Sequence, residues 1–210
     1  MLTLYTYWRS TTAYRVRIAL ELKGLAYRSV PVNLLEGAQR SAEYTALNPI
    51  GGVPTLVLED GTALTQSMAI LDYLDQVAPE APLLPRDPVA RARVMAAAFV
   101  FATDVHPVNN LKVVNRVKTL TSADDAGLAW MHHWMDQGFA AFHALIARDT
   151  PFAFGDTPTL ADICLVAQLY NAHRWGVDMS GLARLTEIEA RCLALPAFAA
   201  ARPELQPDAS

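Results

Sequence analysis

Three hydroxyl side chains, Ser10, Thr11 and Thr12, stand in a row in WRSTTAYRVR, between an apolar strand-like start and a helix-like run. Residues of this type commonly cap a helix by accepting from its free backbone N–H groups. On the hydroxyls alone, capping is the favoured reading. The position permits more, because a strand running directly into a helix gathers unpaired N–H groups and the positive end of the helix dipole at one point. A thiolate placed there is stabilised relative to its thiol, and a hydroxyl donating to the sulfur adds to the effect. The chain has no cysteine before Cys164, so a sulfur at this point has to arrive with a ligand.

Other stretches carry the same double reading. VPTL (53–56) follows a Gly-Gly pair. It is either an edge strand that tolerates proline at its start or a cis Val53–Pro54 bond that turns the Val53 backbone outward for peptide-like pairing. Ser67 is a good N-cap, and Gln66 beside it places an amide where a carboxylate can dock at a helix N-terminus. His106 precedes a helix-breaking Pro107, where a solvated histidine is the plainer reading. Arg174, in NAHRW, sits near a helix end that favours a cation, and Arg9 reads as an ordinary surface residue. Met95, Phe99, Trp130, Met131 and Trp134 can wall an apolar pocket, although their helical spacing suits plain core better. Cys164 and Cys192 lack metal-ligand spacing, so no metal site is expected and both read as buried free thiols.

The elements that position these residues change character along the chain. LTLYTY (2–7) alternates as a strand, and Ala13 to Lys23 carries a helical apolar stripe that stops at Gly24. YRSVPVN (27–33) is a second strand, and a short helix near 41–47 ends before Pro49. VPTLVLEDG (53–61) and TALT (62–65) are two strands joined so tightly that they must run antiparallel. A helix then opens at Ser67, with Ile70, Leu71, Leu74 and Val77 on one face. The order is βαβ followed by αββα, a small mixed sheet with helices packed on it.

PEAPLLPRDP carries four prolines in ten residues and reads as a linker. Beyond it the pattern is helical throughout. One helix opens at the Asp87–Pro88 pair and should kink or end near His106; a second covers about 123–148. A third begins at Thr159, with Asp162 three positions on as the acidic member of a capping box, and a last covers roughly 182–193. The tail RPELQPDAS is polar and expected to be loose.

Composition bounds the function classes. The chain of 210 residues is 52% hydrophobic and 18% charged, with a formal net charge of −4. That is a globular balance with no basic field for nucleic acid or an anionic membrane. No apolar run approaches a membrane span and the first residues lack the pattern of a signal peptide, so a cytoplasmic location is expected.

Taken together, WRSTTAYRVRIAL, NPIGGVPTL, QSMAILDYL, the proline-rich linker and GDTPTLADICL resemble a glutathione transferase over nearly the whole chain. RSTTAYRVRIALELKGL, DVHPVNN and VDMSG resemble the zeta class in particular. Where that class commonly has Ser-Ser-Cys after the arginine, this chain has Ser10-Thr11-Thr12, which preserves a hydroxyl but supplies no thiol. The resemblance implies an α+β thioredoxin-like domain with a mixed four-stranded sheet over 1–80, a linker over 81–88 and an all-α domain over 89–210. It implies glutathione as cofactor, a homodimer, and cis–trans isomerisation of an unsaturated dicarboxylic keto acid such as maleylacetoacetate or maleylpyruvate. A general conjugating transferase and a non-catalytic binding scaffold are the rival readings.

By the same resemblance Ser10, Thr11 and Thr12 surround the glutathione sulfur, and Val53 with Pro54 pairs the cysteinyl backbone. Gln66 and Ser67 hold the γ-glutamyl carboxylate, and Gln39, His106 and Asn110 reach the tripeptide or the substrate. Arg9 and Arg174 match arginines that reach substrate carboxylates, with Lys112 a weaker cation.

Overall fold

The computed structural model describes residues 1–209, and the chain forms two compact units. The first is built on Met1–Leu83. Its sheet has four strands, β1 (Leu2–Thr6), β2 (Tyr27–Pro31), β3 (Thr55–Val57) and β4 (Ala63–Thr65), in the order β2-β1-β3-β4. β1 runs parallel to β2 with Leu4 opposite Ser29. β3 is antiparallel to both of its neighbours, and Leu56 is paired with Leu4 on one side and Leu64 on the other. Leu4, Thr6 and Leu56 are fully buried, which is the period-two pattern of a sheet face packed on helices.

Three helices complete this part: α1 (Thr11–Leu22), α2 (Ala42–Leu47) and α3 (Ser67–Val77). α1 is buried on almost every side: Ala13, Val16, Ile18, Ala19 and Leu20 are fully covered, and Arg17 is covered with them. Gly24, at φ +61°, turns the chain out of α1 in a conformation that a side chain would strain. α3 buries Ile70, Leu71 and Leu74, whereas Val77, expected on the same face, is 52% exposed in its last turn. The proline-rich stretch is fastened to this unit: Lys23 Nζ donates to Asp75 Oδ1 (3.1 Å), Ala78 O (2.7 Å) and Ala81 O (2.9 Å).

The second unit, Leu84–Cys192, contains only helices among its described elements. α4 (Pro88–Phe99) opens as anticipated, with Asp87 accepting from Ala90 N at 2.8 Å and proline in the first turn. It does not continue as one α-helix to Val105. Val100–Val105 is π-helical, with His106 N donating to Phe101 O at 2.9 Å, five residues back. Such a widened turn commonly marks a functional site and no residue pattern announces it.

α6 (Ala126–Leu145) is the helix expected over about 123–148, and α5 (Leu111–Thr121) precedes it where no helix was expected. The sequence gives no sign of α5, because Val113, Val114, Val117, Thr119 and Thr121 are β-branched and lower its helix propensity. Packing against α6 holds it instead. Gly138 of α6 lies so close to the π-helical segment that a Cβ there would sit 2.2 Å from Val105 Cγ2. Phe101 stacks on Phe142 at 4.8 Å between ring centroids and packs on Phe139 at 5.2 Å. α7 (Leu160–Trp175) is the core helix, buried from Leu160 to Leu169, and α8 (Ala183–Leu193) closes the unit.

From Leu193 onward the chain belongs to the first unit, not to the second as its position in sequence suggested. α9 (Pro196–Ala200) packs on α1, and Phe198 and Ala201 are fully buried. Arg17 Nε donates to Ala201 O (3.1 Å), while its Nη1 and Nη2 reach Thr6 Oγ1 (3.1 Å) and Trp8 O (3.0 Å). Trp8 N donates to Asp208 Oδ2 at 3.0 Å. The tail through Ala209 is therefore docked, not loose: Pro203 is buried and Asp208 accepts from the Trp8 N–H.

Candidate active site

The hydroxyl run sits where β1 gives way to α1. Ser10 is the N-cap of α1 (φ −73°, ψ 116°), and its Oγ accepts from Ala13 N at 3.2 Å. Thr11 is the first residue of the helix and is buried. Thr12 Oγ1 lies 3.0 Å from Ser10 Oγ and donates to Val53 O at 2.8 Å, joining two chain segments 41 positions apart. The capping reading thus holds for Ser10, and it leaves the O–H as a donor.

Val53 is presented by a loop with its own buried scaffold, and the Val53–Pro54 bond is cis. Tyr44 OH donates to Gly52 O at 2.6 Å and lies 2.9 Å from Thr55 Oγ1. Asn48 Nδ2 reaches the same carbonyl at 2.7 Å and Thr55 Oγ1 at 3.1 Å. Burial pushes the Tyr44 phenol up, and the hydrogen bonds from Thr55 and Asn48 partly offset that rise. Gly51, at φ +63°, leaves 3.1 Å between a notional Cβ and Gln39 O, so the loop and the turn around Gln39 are in close apposition. Sequence reasoning did not single out Tyr44, Asn48 or Thr55. Each reads as an ordinary helix, loop or strand residue until the fold brings all three together.

Gln66 and Ser67 differ from expectation in one respect. Ser67 is the first residue of α3 and Gln66 is its cap, with no side-chain capping bond. Gln66 has φ +66° although it is not glycine, a strained conformation that costs of order 1–3 kcal/mol and persists chiefly at functional positions. Ser67 is buried and Gln66 exposed, so a strained residue marks the start of an uncapped helix. That combination suits an anionic group. Gln39 Oε1 is buried without a partner within the protein, an acceptor left for a ligand N–H or a water.

In the second unit His106 closes the π-helical segment, and the exposed Asn110 caps α5 by accepting from Lys112 N at 3.1 Å. Asn109 is buried, with Nδ2 donating to Met131 O at 3.2 Å and Oδ1 left without a partner within the protein. Arg174 lies exposed in the last turn of α7, its guanidinium 4.9 Å from the Trp175 ring centroid, before Gly176 at φ +69°. In the first unit the Arg9 guanidinium lies 4.1 Å from the Trp8 ring centroid. Both cations lie over indole rings, which attract them through the negative face of the π-system. Lys112 is exposed. Of the apolar candidates, Met131 is core, while Met95, Phe99, Trp130 and Trp134 are half-buried; Trp130 Nε1 donates to Val108 O at 3.0 Å.

Asp162 is fully buried and faces backbone, not a cleft. Its carboxylate accepts from Ala153 N (2.8 Å), Thr159 N (2.7 Å) and Thr159 Oγ1 (2.8 Å). Burial pushes this carboxyl up and the bonds from Ala153 and Thr159 pull it back. Burial likewise raises the Cys192 thiol, and no group of residues able to hold a metal ion occurs among the described residues.

Comparison with known proteins gives a consistent set of likenesses. Residues 1–76 match the family model described as glutathione S-transferase, N-terminal domain. A Rhizobium meliloti protein named maleylacetoacetate isomerase is 48% identical over 206 residues, covering 96% of this chain and 95% of that protein. A solved structure of a zeta-class bacterial maleylpyruvate isomerase in its holo form superposes with a TM-score of 0.95 at 39% identity, over 99% of this chain and 100% of that one. The maleylacetoacetate isomerase of Anaeromyxobacter dehalogenans, solved with dicarboxyethyl glutathione and citrate in its active site, has a TM-score of 0.89 at 42% identity and matches 100% of this chain and 98% of its own.

Proposed function

The chain belongs to the zeta class of the glutathione S-transferase family, and from that premise we propose that it isomerises maleylacetoacetate to fumarylacetoacetate with glutathione as cofactor. The observation that carries this reading is the hydroxyl junction. Ser10 sits at a strand-to-helix turn, tied through Thr12 to the Val53 carbonyl, in a chain that has no cysteine of its own before Cys164. Other residues of the same unit fit glutathione: a buried Gln39 oxygen without a protein partner, the strained Gln66 and the uncapped start of α3.

When bound, glutathione would supply a thiolate nucleophile whose reversible addition leaves a freely rotating single bond where the substrate's cis double bond was. The chain's own residues do the rest. Ser10 donates a hydrogen bond to the sulfur and, with the dipole of α1, favours its ionised form. Val53, set by the cis Pro54, offers its backbone to the cysteinyl unit. Gln66 and Ser67 receive the γ-glutamyl carboxylate, and Gln39, His106 and Asn110 complete the contacts to the tripeptide or substrate. Arg9 and Arg174 are each assigned a substrate carboxylate, a task that a planar guanidinium performs by paired hydrogen bonds.

We assign most of the glutathione contacts to the first unit and most of the substrate's selectivity, Arg9 apart, to the helical second one. A homodimer in the cytoplasm, acting in tyrosine breakdown, completes the reading. The likeness to a maleylpyruvate isomerase favours maleylpyruvate as the second substrate to try. The test is turnover of both acids with and without glutathione. We expect isomerisation that requires glutathione, leaves its concentration unchanged and is faster with maleylacetoacetate. Consumption of glutathione at the rate of substrate loss indicates a conjugating transferase; binding without turnover indicates a scaffold.

A further inference from the structure

The three oxygens of the hydroxyl junction fix the direction of donation between them. Thr12 Oγ1 is 2.8 Å from Val53 O, an oxygen that can only accept, and 3.0 Å from Ser10 Oγ. Thr12 has a single hydroxyl proton. Both contacts are hydrogen bonds only if that proton goes to Val53 and Ser10 donates to Thr12. Ser10 Oγ meanwhile accepts from Ala13 N at 3.2 Å. Donation therefore runs in one line, from Ala13 N–H to Ser10, from Ser10 to Thr12, and from Thr12 to the Val53 carbonyl.

We propose, resting on the glutathione reading above, which already gives the sulfur to Ser10, that Thr12 is a positioning residue that holds the Val53 carbonyl. Thr12 has no proton left for a sulfur. Ser10's proton rests on a neutral oxygen, and a charged acceptor draws it away, because hydrogen bonds to ionised groups are the stronger ones. The exchange needs only rotation about the Ser10 Cβ–Oγ bond, and the cap to Ala13 is kept throughout. The Val53 carbonyl has two lone pairs, so holding Thr12 leaves one for a ligand N–H. One threonine hydroxyl thus sets the register between the group that meets the sulfur and the backbone that meets the peptide. A cysteine at this position would do so more weakly, since a thiol is a poor donor.

The test is a pH titration of the thiolate absorbance of bound glutathione, with the glutathione Kd by calorimetry, in wild type, Ser10→Ala, Thr12→Val and Thr12→Ser. Ser10→Ala should raise the bound thiol's pKa by about 1–2 units, the worth of one hydrogen bond to a charge. Thr12→Val should leave that pKa within about 0.5 unit and weaken binding roughly 2–10-fold, the effect of a neutral bond lost from the Val53 loop. Thr12→Ser should restore binding, which a general packing defect would not allow. A Thr12→Val variant whose pKa rises as far as that of Ser10→Ala makes Thr12 the sulfur's donor and overturns the proposal. Unchanged affinity in Thr12→Val overturns it equally. Thr12→Ala gives the same readout if Thr12→Val does not fold. Failure of wild type to bind glutathione at all strikes the functional reading itself, and is seen before any variant is compared.

Discussion

At Ser10 the Ala13 N–H occupies one lone pair of the hydroxyl oxygen, so the same atom is a cap and the carrier of a transferable hydrogen bond. Removing it has two separable effects. Ser10→Ala should lower turnover roughly 10–100-fold, because a bond to developing charge is worth about 1.5–3 kcal/mol. It should also lower stability by about 0.5–2 kcal/mol through the lost cap. Turnover measured below the melting range separates them, and wild-type turnover there would leave Ser10 with the cap alone. The arginines belong to the same scale. Arg9→Ala and Arg174→Ala should each raise KM for the dicarboxylic acid while leaving glutathione affinity intact. A chlorinated nitrobenzene has no carboxylate, so its conjugation rate should barely change. Equal losses on both substrates would point to folding and remove the carboxylate assignment.

At the scale of elements, α7 depends on a carboxylate engaged by the protein's own donors. Asp162 satisfies the Thr159 N–H and hydroxyl at the helix start and the Ala153 N–H of the preceding loop, all buried. Asp162→Ala strands these donors together, and a buried donor without a partner costs about 1–3 kcal/mol. We expect a loss of roughly 2–4 kcal/mol in urea unfolding, with near-normal turnover per folded molecule at low temperature. A stable but inactive variant would give Asp162 a catalytic role. The π-helical segment shows the opposite relation between element and residue. Gly138 of α6 lets Val105 approach, and His106 follows directly, so a glycine on one helix sets where a candidate site residue of another begins.

Across the whole chain, the last residues complete a core that the first residues begin. Phe198 is fully buried, and Ala201 and Asp208 accept from Arg17 and Trp8, the latter two positions before Ser10. Phe198→Ala should cost about 3–5 kcal/mol, as for other buried aromatics cut to alanine. Because α9 packs on α1, the loss should be accompanied by weaker glutathione binding and reversed in part by saturating glutathione, which favours the folded state by mass action. Wild-type stability in this variant would show that the tail is an appendage.

Much of this was determined by the sequence alone, wherever the physics is local. Alternating apolar residues drew β1, Asp87–Pro88 drew the start of α4, and the Thr159–Asp162 spacing drew the cap of α7. Ser10 at a strand-to-helix junction was likewise visible, because capping needs only neighbours in the chain. What the tertiary structure decided depends on residues far apart in sequence. The β-branched α5 is held by packing on α6, with Val114 buried, and the polar-looking tail is docked because Asp208 accepts from the Trp8 N–H 200 positions away. Tyr44, Asn48 and Thr55 become one scaffold only when the loop folds over them. The role separating Thr12 from Ser10 turns on a single distance to a carbonyl 41 residues away. No local pattern encodes that distance, because the closure of the chain creates it.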